Sequence, residues 1–131
     1  MSSSFSAFVP SRNLPDNGKI SRALSSRGWA VKLPESPAIT EASGSFAIQV
    51  DGSTVELTVG VDAVDSLPDT EVASLGDHAA KVVKTTDLRI RLTGADETST
   101  RWSRDIARGL ALLALGAFQD SESGKTLHFG Y

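Results

Sequence analysis

Phe46-Ala47-Ile48-Gln49-Val50-Asp51-Gly52-Ser53-Thr54-Val55-Glu56-Leu57-Thr58-Val59-Gly60-Val61 is the stretch that decides the fold. Phe46, Ile48 and Val50 fall on one side of an extended chain, because successive side chains of a strand point to opposite faces. Val55, Leu57, Val59 and Val61 repeat the pattern after Asp51-Gly52. An Asp-Gly pair between two alternating runs predicts a type I′ hairpin turn, in which both central residues need positive φ.

Working outward, Phe5–Pro10 reads as a first strand. Asp16 or Asn17 can cap a helix that carries Ile20, Ala23 and Leu24 on one face and stops near Gly28. Trp29, Val31 and Leu33 alternate as a strand that ends at Pro34, and 34–44 reads as a loop. After the hairpin, Leu67-Pro68-Asp69 predicts a turn into a short helix over Thr70–Leu75. Leu88, Ile90 and Leu92 alternate with Arg89 and Arg91 as another strand. Trp102, Ile106, Leu110, Leu113 and Ala117 fit the spacing of a long closing helix, capped within Asp96–Thr100. A turn at Ser123-Gly124 leads to a last strand, Thr126–Gly130.

This order predicts an α+β fold, a two-layer sandwich with a mostly antiparallel sheet of about five strands and two main helices on one face. Residues 1–131 form one domain, as the length implies. Lys32, Gln49, Glu56, Thr58, Arg89 and Arg91 are out of phase with the apolar set and define a polar sheet face. That face is either solvated, with cross-strand ion pairs, or a partner surface.

Composition excludes several function classes. The 131 residues are 40% hydrophobic and 22% charged, which suits a folded soluble chain rather than a disordered one. The net charge of −3 argues against a nucleic-acid binder. The sequence has no cysteine, so disulfides, thiolate metal sites and cysteine nucleophiles are out. Met1-Ser2-Ser3-Ser4-Phe5 lacks the basic start and apolar run of a secretory leader, and the most apolar run, 109–118, falls well short of a bilayer span. These features predict a cytoplasmic protein with no membrane contact.

Chemical motifs are sparse. Gly124-Lys125-Thr126 resembles the end of a phosphate-binding loop, but Gln119 stands where that loop needs its first glycine. His78 and His128 are far apart and lack the close pairing of zinc ligands, so no metal is expected. Their surroundings predict an exposed loop histidine at 78 and a strand histidine pointing away from the core at 128. No nucleophile elbow and no dinucleotide fingerprint occurs. Asp62, Asp65, Asp69 and Glu71 do not form a calcium loop, because Leu67 replaces its turn glycine. The sequence predicts no catalytic residue and no cofactor.

Charge is segregated along the chain. Residues 1–32 hold five basic residues and one acid; 33–80 hold nine acids and no basic residue; 81–131 hold eight basic residues and six acids. The densest acids are Asp62, Asp65, Asp69, Glu71 and Asp77. Gathered on one surface, they would attract a basic partner and speed its encounter. Spread along a solvated loop, they would serve solubility. They are the candidate partner-binding residues.

Asp87-Leu88-Arg89-Ile90-Arg91-Leu92, the helix ending in Ala107-Arg108-Gly109-Leu110-Ala111-Leu112-Leu113-Ala114-Leu115-Gly116-Ala117, and Phe118-Gln119-Asp120-Ser121-Glu122-Ser123-Gly124 together resemble the C-terminal part of small bacterial immunity proteins. There an Ala/Leu-rich helix runs into a strand and an Asp-x-x-Ser/Thr-Gly turn. Such proteins bind and neutralise secreted type VI or contact-dependent antibacterial toxins. The resemblance implies a cognate toxin as partner, blocked at its active site. With the acidity it points to a basic, nuclease-like one. It transfers no individual residue. Other acidic inhibitors, a secretion chaperone, and an enzyme without a recognisable motif are the alternatives, and the oligomeric state is left open.

Overall fold

The structure is a computed structural model that describes residues 4–11, 14–25, 30–34, 38, 39, 41, 43–70, 76–120 and 126–128, with 78, 79 and 126–128 described by backbone alone. The strands are β1 (Ser4–Val9), β2 (Val31–Lys32), β3 (Gly44–Val50), β4 (Ser53–Ala63), β5 (Leu88–Gly94), β6 (Ala117–Asp120) and β7 (Thr126–His128). The helices are α1 (Asn17–Ser25), α2 (Asp77–Val83) and α3 (Glu97–Leu113), and a 3₁₀ turn spans Val64–Ser66. The fold is α+β.

All seven strands form one antiparallel sheet in the order β2-β3-β4-β5-β1-β6-β7. The β3–β4 hairpin turns at Asp51 (φ 49°) and Gly52 (φ 85°), the positive pair that a type I′ turn requires. The Asp51 carboxylate accepts a bond from the Ala30 N–H (3.0 Å), and its own N–H donates to the Ala30 carbonyl (2.9 Å). The turn therefore also fixes the start of β2.

β2 is an edge strand, and exposed edge N–H groups invite pairing with another chain. Two serines one helical turn apart on α1 occupy this edge. Ser21 Oγ accepts from the Leu33 N–H (2.9 Å), and Ser25 Oγ accepts from the Val31 N–H (3.1 Å) and donates to the Val31 carbonyl (3.1 Å). Asp16, not Asn17, caps α1 by accepting from the Lys19 N–H (2.7 Å). Asn17 is buried instead and bonds to Pro34 and Ile39. Its amide donates to the Pro34 carbonyl (2.7 Å), and its oxygen accepts from the Ile39 N–H (2.9 Å).

α1 and α3 cover one face of the sheet. Ile20 and Leu24 of α1 and Trp102, Ile106 and Leu110 of α3 share a core with Phe5, Ala7, Ile48, Leu57, Ile90 and Leu92. The Phe5 and Phe118 rings stack with centroids 6.3 Å apart. α3 starts in a capping box. Asp96 accepts from the Ser99 N–H (2.8 Å), while Ser99 Oγ accepts from the Asp96 N–H (3.0 Å). Those bonds from Ser99, first its N–H and then its hydroxyl, hold the Asp96 carboxyl below its usual value.

Four sequence expectations are corrected. Among the described residues the sheet has seven strands, where about five were expected. The closing helix stops at Leu113 instead of reaching Ala117, and Ala117–Asp120 forms a strand beside β1. The helix ends in a Schellman motif. Leu115 takes the left-handed conformation (φ 55°), the Gly116 N–H donates to the Ala111 carbonyl (2.8 Å), and the Leu115 N–H donates to the Leu112 carbonyl (3.3 Å). A third helix, α2, packs on the other sheet face, where Val82 and Val83 meet Phe8, Ala117 and Val64. His78 lies within α2 rather than in a loop. Most of the expected helix over Thr70–Leu75, and residues 129–130 of the expected last strand, lie outside the described residues, as do the side chains of His78 and His128.

The termini of α3 can be tested by three substitutions. Gly116 packs so tightly on β1 that an added Cβ would overlap the Phe8 carbonyl oxygen. Gly116→Ala should therefore cost about 3 kcal/mol or more in urea unfolding, as a forced backbone shift does. Leu115→Gly should instead stabilise by about 1 kcal/mol, because it relieves a left-handed non-glycine residue that is 60% exposed. The lowered Asp96 pKa contributes stability that is complete above the ordinary value of 3.8 and is lost as pH falls through the folded value. Asp96→Asn keeps the cap acceptor and removes this titration. Thermal melts should show wild type losing ground to the variant as pH drops below about 4.

Candidate functional site

The sheet face opposite α1 and α3 has two parts. Over β3, β4 and β5 it is open, and Gln49, Glu56, Thr58 and Arg91 are exposed there, as is Lys32 on β2. Over β1 and β6 it is covered by α2, which sits where Phe8 and Ala117 supply apolar side chains on the otherwise polar face. The register explains the placement. Phe8 is out of phase with Phe5, Ala7 and Val9, and it lies opposite both Ala117 and Arg89.

Docking of α2 opens a groove of about 760 Å³ between the helix and the segment after β4. Asp77, Ala80, Lys81 and Lys84 line one wall, at the spacing of a single helical face. Val64, Asp65, Leu67 and Asp69 line the other, and Thr86 closes the end. Thr86 is buried, with its hydroxyl bonded to the Val83 carbonyl (2.6 Å), so it is a structural wall. The Val64 N–H donates to the Asp87 carbonyl (2.9 Å), which ties the 3₁₀ turn to the strand leaving α2. Asp87 is anchored in turn by the Ser11 N–H (2.6 Å) and the Ser11 hydroxyl.

The predicted acids separate into three groups. Asp65, Asp69 and Asp77 are exposed and meet around the groove. Asp62 is elsewhere, in β4 opposite Arg89, with its Oδ2 2.9 Å from Nη2 of that arginine. Its charge serves the sheet. Glu71 lies outside the described residues. Sequence reasoning missed Lys81 and Lys84. Their spacing from Asp77 along α2 was the available signal, but no helix was predicted there. They make the groove mixed in charge, with three carboxylates and two ammonium groups beside the apolar Val64, Leu67 and Ala80.

Among the described residues, no group of three or more His, Asp or Glu side chains is placed to hold a metal ion, and no helix is long and apolar enough to cross a membrane. No family model, no curated protein and no solved structure matches this chain.

The division of labour among the acids can be measured. Asp62→Ala removes the cross-strand partner of an arginine whose side chain is only 12% exposed, and should cost about 1 kcal/mol in urea unfolding. Asp65→Ala, at an exposed position, should change stability by less than about 0.5 kcal/mol.

Proposed function

We propose that this chain is an immunity-type inhibitor that binds a cognate antibacterial toxin in the cytoplasm and neutralises it by covering its active site. The observation that carries the reading is the groove beside α2. Val64, Leu67 and Ala80 line it together with Asp65, Asp69, Asp77, Lys81 and Lys84. Apolar side chains set among charged ones suit a protein-binding surface. The carboxylates favour a toxin that offers a basic side chain, as a nuclease would.

The resemblance of the C-terminal third to small bacterial immunity proteins is the second support for this reading. No nucleic acid, membrane or cofactor enters the mechanism. Inhibition here is occlusion, and its cost to the toxin is loss of access to substrate.

Capture from the native bacterium tests this. The tagged full chain, washed at low salt, should retain one stoichiometric protein with a toxic activity that the chain suppresses. Asp65→Lys, Asp69→Lys and Asp77→Lys together should slow association with that protein about tenfold or more at low salt, and the gap should narrow at high salt. A retained partner that binds the triple variant at the wild-type rate would remove the groove from the interface. A captured enzyme substrate or secretion apparatus in place of a toxin would overturn the reading.

A further inference from the structure

α3 carries an outward face that neither the core nor the proposed toxin contact uses. Arg104 and Arg108 are exposed and one turn apart, and Leu112 continues the row at the next turn. Leu112 (47% exposed), Leu113 (41%) and Leu115 (60%) are the large exposed hydrophobic side chains among the described residues. Three leucines at one helix end form a patch rather than scattered single exposures, and such patches mark interaction sites. Leu115 is also held in a left-handed conformation there instead of the glycine that this cap position favours.

The chemistry of this face complements the aspartates of the groove. The face offers arginines beside an apolar end; the groove offers Asp65, Asp69 and Asp77 beside Val64, Leu67 and Ala80, with Lys81 and Lys84 further along its α2 wall. The two cannot meet within one molecule. α3 packs on the sheet face that carries Ala7 and Ile90, whereas α2 packs on the face that carries Phe8 and Ala117. The sheet lies between them, so any engagement is between molecules.

We propose that the outward face of α3 in one copy docks into the α2 groove of a second copy of this chain. The contact joins two different surfaces, so it is heterologous, and each added copy leaves one groove and one helix face unfilled. Association is therefore head to tail and continues beyond a dimer. It does not depend on the toxin reading, although a toxin bound at the groove would compete with it.

Sedimentation velocity of the full chain, from about 1 µM to about 1 mM at low salt, tests the proposal. Mass should rise with concentration past that of a dimer, and high salt should weaken the association. Arg104→Glu/Arg108→Glu should raise the apparent Kd at least about tenfold, and so should Asp69→Lys/Asp77→Lys. All four positions are exposed, and unchanged circular dichroism and melting would establish that both variants fold. Mixing the two variants supplies the decisive species. The intact groove of one takes the intact face of the other, and the reversed face meets the reversed groove with its charges swapped, so the mixture should regain the association that each variant alone has lost. A chain that stays monomeric throughout would overturn the proposal. So would a dimer that ignores both charge reversals, which would place the leucine patch against itself.

Discussion

The close approach of Gly116 to β1 is the constraint on which the rest of this structure depends. α3 is the largest apolar element over the sheet, and its direction of exit decides what lies next to β1. The Schellman turn at Leu115 reverses the chain, and Gly116 lets it pass against the Phe8 carbonyl with no side chain in the way. β6 then pairs with β1 and places Ala117 beside Phe8. Those two residues make the apolar seat for α2, and α2 makes one wall of the groove. A contact in the core thus positions a surface on the far side of the sheet.

The fold also redistributes charge. The 33–80 segment is uniformly acidic in sequence, yet its acids do different work in space. Asp51 closes a turn onto Ala30, Asp62 pairs with Arg89, and Asp65 and Asp69 reach the groove, where Asp77 meets them from α2. Lys81 and Lys84 follow on the same helical face and offset part of that acidity. Under the proposed function, this surface would select by pattern more than by total charge. A partner must place cations against the aspartates and avoid the lysines, which is a source of specificity.

The parts of the fold legible in sequence are those where one local rule has no competitor. Asp51-Gly52 between alternating runs admits one turn type, and the hairpin follows. Leu88, Ile90 and Leu92 have strand periodicity, and Trp102, Ile106 and Leu110 have helix periodicity. The end of α3 was not legible, because Ala114, Leu115 and Ala117 continue a helical pattern and a leucine rarely takes the left-handed conformation. β6 was hidden by the same run. α2 is short and buries only a narrow face, and its seat is built from Phe8 and Ala117, both distant in sequence. The candidate site was legible as a list of acids, three of which converge. It was not legible as a groove, since that needs α2 and its lysines.

Hydrogen exchange of the chain, alone and in complex with whichever protein the capture retains, tests the central claim most directly. Amides of the 3₁₀ turn and α2, over 64–69 and 77–84, should gain protection on binding, while the open face over β3 and β4 should not change. Protection confined to β3 and β4, with the α2 groove unaltered, would contradict the account and move the interface to the polar sheet face.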